Sequence, residues 1–293
     1  MLYYAKDKVL DLSTTQVMGI VNVTPDSFSD GGKYFSSDKA IKKALSLIDE
    51  GADLLDFGAE STRPGAGAIA AEEQLNRLLP VLEEVVSRVD VPISIDTMSA
   101  TVAKSCLEVG AHIINDVSGF KSDPKLAGVV AEANAGCVLM HMRGTPQTMQ
   151  GQAAYNDLFK EVYSELEESI QIALNASVPK TSILVDPGFG FAKDAEQTLG
   201  LLKNLNYLTE LGYPVLIGSS RKSFIRKALD QEGVEALRWG TAATCAYAVM
   251  QGASVVRVHD VNEIKMFMTM LDKIRSSHVG SLQVEHDQAQ KRC

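Results

Sequence analysis

Cysteine is scarce in this chain. Its four residues, Cys106, Cys137, Cys245 and Cys293, stand far apart with no C-x-x-C pair, which fits a reducing cytoplasm. No stretch approaches about 18 uninterrupted apolar residues, which argues against a helical membrane span. The N-terminus lacks an apolar core followed by a cleavage site. Basic residues number 28 against 37 acidic ones, giving a formal charge of -9, and no Lys/Arg block is long enough for a nucleic-acid footprint. An anionic small molecule stays within reach, because local positive groups can outweigh the global balance. H-E-x-x-H is absent and His141 has no His or Cys partner at zinc-ligand spacing. The glycine fingerprints of Rossmann and P-loop nucleotide sites are also missing.

What is present is a soluble enzyme composition, 45% hydrophobic and 22% charged. Eight short apolar runs recur: Val17–Val21, Leu54–Phe57, Ile93–Ile95, His112–Ile114, Cys137–Met140, Ile183–Val185, Val215–Ile217 and Val255–Val258. Amphipathic stretches separate them, with helices predicted over 38–49, 72–86, 155–175 and 261–274. Runs apolar throughout, each followed by a crossover helix, specify a parallel sheet covered by helices. Eight of them imply closure into a single-domain α/β TIM (β/α)8 barrel over residues 1–275. Gly-Ala doublets at 51–52, 110–111 and 252–253 suit tight helix-to-strand turns. Residues 3–11 are expected to form a small hairpin across the barrel bottom, and 276–293 a polar, disordered tail.

Polar residues cluster just after the apolar runs, at the strand ends where barrels keep their chemistry. Asn22, Asp96, Asn115, Asp186 and His259 all occupy such places. Asp96, Asn115 and Asp186 offer acceptors, with amide donors from Asn115, a mixture suited to the edge of a flat heterocycle. Lys222 could donate to a ring carbonyl or nitrogen, whereas Arg221 reads equally well as a scaffold residue paired across loops. Arg257 and His259 share a face at period two. With Asn22 and Arg63 they make a plausible anion site at the seam between the last and first barrel strands. The long first loop carries one aromatic, Phe28, placed either to pack on the rim or to cover a ligand.

Assembled motifs resemble the dihydropteroate synthase family of pterin-binding barrels. They are MGIVNVTPDSFSDGG at 18–32, ESTRPGA at 60–66, SIDT at 94–97, HIIND at 112–116, LMHMRGTP at 139–146, DPGFG at 186–190, SRKSF at 220–224 and RVHD at 257–260. The resemblance implies condensation of 6-hydroxymethyl-7,8-dihydropterin diphosphate with p-aminobenzoate, binding of sulfonamides as mimics of p-aminobenzoate, a homodimer, and Mg2+ as cofactor. It further implies that Asp96, Asn115, Asp186 and Lys222 hold the pterin, with Met140 and Phe191 as apolar surroundings. Asn22, Arg63, Arg257 and His259 would engage diphosphate, and Asn22 the magnesium. Phe28, Thr62, Pro64 and Ser223 would frame p-aminobenzoate, with Asp30 ordering the first loop. Asp96, Lys222 and Arg257 are the expected catalytic residues. A pterin-dependent methyltransferase shares the barrel and the pterin-edge acids, and with a non-catalytic paralogue forms the alternative. Two residues depart from the family pattern: Arg143 stands where Gln is usual, and Ala192 replaces a common Gly.

Overall fold

The structure, a computed structural model, describes residues 1–24, 33–60 and 65–277, leaving aside the side chains of 33–36. It opens with an antiparallel hairpin, β1 (Leu2–Ala5) and β2 (Lys8–Asp11). Barrel strands then follow as β3 (Gln16–Asn22), β4 (Leu54–Gly58), β5 (Ile93–Asp96) and β6 (Ile113–Asp116). The remaining four are β7 (Gly136–Met140), β8 (Ile183–Asp186), β9 (Val215–Ile217) and β10 (Ala253–Val258). All pair in parallel, and β10 closes onto β3. The (β/α)8 barrel expected from the apolar runs is therefore present.

Helices return the chain between strands: α1 (Lys33–Asp49), α2 (Ala71–Val86), α3 (Ala100–Val109), α4 (Leu126–Glu132) and α5 (Leu158–Asn175). They continue as α6 (Ala195–Lys203), α7 (Asn206–Thr209), α8 (Ser223–Leu229), α9 (Val234–Met250) and α10 (Val261–Arg275). The turns preceding β4, β6 and β10 place Gly51, Gly110 and Gly252 at φ of 95°, 127° and 103°. These backbones lie where a side chain would be strained, which explains the recurring Gly-Ala doublets.

Strand alternation divides the barrel into two environments. Outward residues such as Val17, Leu55, Phe57, Ile95, Ile114, Leu139, Val185 and Ile217 pack in one large core. Inward residues Met18, Leu54, Ile113, Val138, Leu184, Leu216 and Val255 form a separate cluster with Tyr3, Ala5 and Leu10 of the hairpin. The hairpin thus plugs the bottom of the barrel, as the sequence suggested. Tyr3 donates from its buried hydroxyl to the Cys137 carbonyl at 3.3 Å, and Lys6 donates to the Leu107 and Ala111 carbonyls at 2.9 and 3.1 Å.

Two residues farther along β4, β6, β8 and β10, the inward layer changes from apolar to polar. Leu54 gives way to Asp56, Ile113 to Asn115, Leu184 to Asp186 and Val255 to Arg257. A sealed apolar floor therefore carries a polar layer directly above it. Residues 278–293 of the expected tail lie outside the described residues.

Candidate active site

The centre of the polar layer is Arg257. Its Nε donates to Asp56 Oδ2 at 2.6 Å and its Nη2 to Asp96 Oδ2 at 2.9 Å. Asn115 Nδ2 donates to the same Asp56 oxygen at 3.2 Å. Strands β4, β5, β6 and β10 so deliver one buried cluster of two acids, an amide and a guanidinium. Burial pushes the Asp96 carboxyl up to about 7; Arg257 opposes that rise, and Asp56 and Asp116 add to it.

Asp186 closes the other side. Its Oδ1 accepts from the Gly188 N–H at 2.7 Å, and burial raises its carboxyl against the pull of Lys222. Gly188 has φ of 65°, and a Cβ there would lie 2.0 Å from the His141 carbonyl oxygen, so this turn demands glycine. Lys222 precedes α8 and donates from Nζ to the Phe189 carbonyl at 2.5 Å, with the Phe191 ring 4.5 Å from that ammonium. Burial lowers the Lys222 ammonium to about 8, with Asp186 resisting. Met140 and Phe191 pack together with Val117, Met142, Met149 and Ala192, an apolar wall beside the polar cluster. At Gly218 an added Cβ would meet, among the described residues, only Asp186 Oδ2, at 3.9 Å; the missing side chain leaves space beside that acid.

The rim is less closely knit. His259 Nδ1 lies 3.0 Å from Ser220 Oγ, while Arg257 reaches inward to the acids. Asn22 ends β3, and Ser223 begins α8 with its side chain exposed. Arg221 is bidentate to Asp260 at 3.0 and 2.6 Å, so it takes the scaffold role that the sequence left open for it. Phe28, Asp30, Thr62, Arg63 and Pro64 lie outside the described residues.

Two buried groups were not singled out by sequence reasoning. Asp56 sits within the apolar run 54–57, where an acid at an inward position was the available signal. Lys193 lies under the turn after β8 and donates to His141 Nδ1 at 2.7 Å, Phe191 O at 2.9 Å and Gly188 O at 3.2 Å. On its far side His141 Nε2 is 3.0 Å from Glu165. Burial and the Lys193 charge depress the His141 imidazole to about 4, consistent with a neutral ring accepting from Lys193 and donating to Glu165.

Both departures from the family pattern have a structural account. Arg143 pairs with Glu161 and Glu165 of α5, donates to the Ala154 carbonyl at 2.9 Å and stacks 4.0 Å over Tyr155. Its charge is spent on the scaffold rather than on the mouth. Ala192 adopts φ of 48°, a left-handed backbone that costs a non-glycine residue on the order of 1 kcal/mol.

The sequence matches the family of pterin binding enzymes over residues 18–259. Dihydropteroate synthase of Bacillus subtilis is 47% identical over 258 residues, covering 88% of each chain. The fold superimposes on Yersinia pestis dihydropteroate synthase in complex with a sulfonamide drug, with a TM-score of 0.88 and 39% identity over 94% of this chain and all of the other. A Xanthomonas albilineans dihydropteroate synthase in complex with 7,8-dihydropteroate gives a TM-score of 0.85 and 37% identity over 94% and 100% of the two chains. A barrel mouth lined by these acids, amide and lysine, together with likeness across nearly the whole chain, places this protein in the dihydropteroate synthase family of pterin-binding enzymes.

Proposed function

We propose that this mouth joins 6-hydroxymethyl-7,8-dihydropterin diphosphate to p-aminobenzoate, releasing diphosphate and forming 7,8-dihydropteroate. The observation that carries the reading is the convergence of Asp96, Asn115, Asp186 and Lys222 on one polar layer beside an apolar wall. A pterin needs that combination, with donors and acceptors around its edge and packing surface for its ring, since each unmatched buried polar group costs about 1–3 kcal/mol. Met140 and Phe191 would supply the packing. Asn22, Arg63, Arg257 and His259 would hold the diphosphate, with Phe28, Thr62, Pro64 and Ser223 around p-aminobenzoate and Asp30 ordering the first loop. Likeness to a sulfonamide-bound relative supports extending sulfonamide binding to this chain.

In the proposed step the bond from the exocyclic methylene to the diphosphate oxygen breaks first, and its electron pair leaves with diphosphate. Ring electrons stabilise the methylene cation, and ionised Asp96 lowers its energy electrostatically. Arg257 offsets charge growing on the leaving phosphates. The arylamine lone pair then forms the new C–N bond, and its nitrogen passes a proton to the released diphosphate. A neutral arylamine needs placement more than a strong base, and the loops after β3 and β4 would supply it on closing, while excluding water from the cation.

Magnesium fits the donor set in a limited sense. Among the described residues no three His, Cys, Asp or Glu cluster to hold a metal, and Asn22 brings one neutral amide oxygen. That suits an ion that retains waters and takes most protein-independent ligands from a diphosphate. When bound it would neutralise phosphate charge.

An exposed apolar face supports a homodimer. Trp239, Tyr247 and Met250 on α9 and Met266, Phe267, Met270 and Ile274 on α10 are all solvent-facing, an unusual concentration for a lone chain. Met270→Glu is expected to convert a dimer to monomer in analytical ultracentrifugation; a monomeric wild type, or a variant that stays dimeric, contradicts this surface as the interface. Among the described residues no helix is long and apolar enough to cross a membrane, and the three described cysteines are buried and unpaired, which supports a cytoplasmic location.

The reaction is tested by coupled diphosphate release with and without p-aminobenzoate. Release that needs both substrates supports the condensation, whereas methyl transfer or pterin binding without release favours another pterin protein. The pH profile follows from the two shifted groups. Ionised Asp96 is required, so kcat/KM for the pterin substrate should fall below about 7. Protonated Lys222 is required, so it should fall again above about 8. Such limbs report the free enzyme. Lys222→Arg should remove the alkaline limb, and an unchanged limb in that variant rules Lys222 out as its source.

A further inference from the structure

We propose that Asp56 is a positioning residue that sets the orientation of the Asn115 amide and the placement of Arg257, and so decides which edge the site offers a pterin. This rests on the pterin reading above. Asp56 has no solvent exposure, and its Oδ2 accepts from both Arg257 Nε at 2.6 Å and Asn115 Nδ2 at 3.2 Å. A carboxylate paired with a guanidinium accepts hydrogen bonds and donates none. Asn115 must therefore turn its nitrogen toward Asp56, which directs its carbonyl branch away from that acid.

From sequence Asn115 offers both an acceptor and amide donors, and the contact with Asp56 fixes which of the two turns toward that acid. With its nitrogen facing Asp56, Asn115 presents an acceptor, and it is the register neighbour of Asp96 on the adjacent strand. Asp96, Asn115 and Asp186 then offer oxygens from three strands, with Lys222 as the cation among them. Such a set recognises the N–H-rich edge of an aminopyrimidine. A reversed amide would set N–H against N–H, losing a bond and leaving two donors unmatched.

Arg257 is governed by the same oxygen. Its Nη2 bonds Asp96 while its Nε is held by Asp56. Without Asp56 the guanidinium would have Asp96 as its one remaining hydrogen-bonded acid in the cluster, drawing that carboxylate away from the ligand. A purely structural Asp56 would be poorly chosen: buried ion pairs are commonly replaceable by apolar residues of similar volume without loss of stability. Among the described residues its second oxygen, Oδ1, is buried without a hydrogen-bond partner, a cost that packing alone would have removed.

The test is a calorimetric titration of 6-hydroxymethylpterin into wild type, Asp56→Asn and Asp53→Asn. Asp53 also holds a cation, Lys265 at 2.7 and 2.6 Å, but away from the site. Asp56→Asn should bind pterin about tenfold or more weakly, with the KM for p-aminobenzoate changed less than about twofold. Asp53→Asn should melt lower while keeping pterin affinity within about twofold. Adding Asn115→Asp to Asp56→Asn supplies a carboxylate that accepts on both branches, and should restore most of the lost affinity. If Asp56→Asn does not fold, Asp56→Ser, which removes the charge facing Arg257 and draws the acceptor back from Asn115, should show a loss of the same kind. Wild-type protein that fails to bind pterin overturns the functional reading itself. Wild-type binding matched by the Asp56 variant, or no recovery in the double variant, overturns the role of Asp56 alone.

Discussion

Asp96→Asn is expected to lower kcat by about 10²–10³-fold, the cost typical of removing one preorganised electrostatic group from a transition state. Its ground-state contacts suffer less, because an amide still fills the space and can still bond its neighbours. The account makes Asp96 the negative charge nearest the developing methylene cation. Loss should therefore fall on turnover, with diphosphate affinity changed much less. Arg257 Nη2 keeps an oxygen to bond at this position, so the guanidinium is not stranded. Steady-state kinetics with parallel binding measurements decide the matter: unchanged turnover removes Asp96 from the chemistry, and a loss confined to KM makes it a binding residue only.

Lys222→Ala should act on affinity. The ammonium lies between the Phe189 carbonyl and the Phe191 face and feels the Asp186 carboxylate. A hydrogen bond from a charged donor to a buried ligand is worth about 1.5–3 kcal/mol, so pterin binding should weaken, with Kd rising about 10–150-fold. Removing the cation also leaves Asp186 without its principal opposing charge, which should raise that carboxyl further. Calorimetry showing wild-type pterin affinity in Lys222→Ala would dismiss the assignment.

The barrel was legible because its strands are buried on both faces and so read as apolar runs. Each of the eight runs coincides with a barrel strand, and the Gly-Ala doublets fall at left-handed turns. The polar layer was legible where a polar residue ended a run, as with Asp96, Asn115 and Asp186. Asp56 escaped notice because Phe57 follows it, so the run continues past the acid in sequence although the side chain faces inward. Lys193 was hidden for a different reason. It lies seven residues after Asp186 in a glycine-rich turn, and only the three-dimensional course of that turn brings it under His141.

Pairing was harder to foresee than placement. Period two assigns Arg257 and His259 to one face, yet Arg257 bonds Asp56 and Asp96 while His259 meets Ser220. Those partners come from strands β4 and β5 and from the loop after β9, over separations that periodicity does not encode. The same holds for Arg143, whose partners on α5 lie 18 and 22 residues onward. Motifs mark these positions in the sequence, and the fold decides which atoms among them face one another.

The most direct check is the position of a pterin in a crystal structure of this protein. The account predicts one ring at the barrel mouth, within hydrogen-bond distance of Asp96, Asn115, Asp186 and Lys222 together and packed on Met140 or Phe191. A ring bound elsewhere, or one that leaves two of those four side chains turned away, would contradict it.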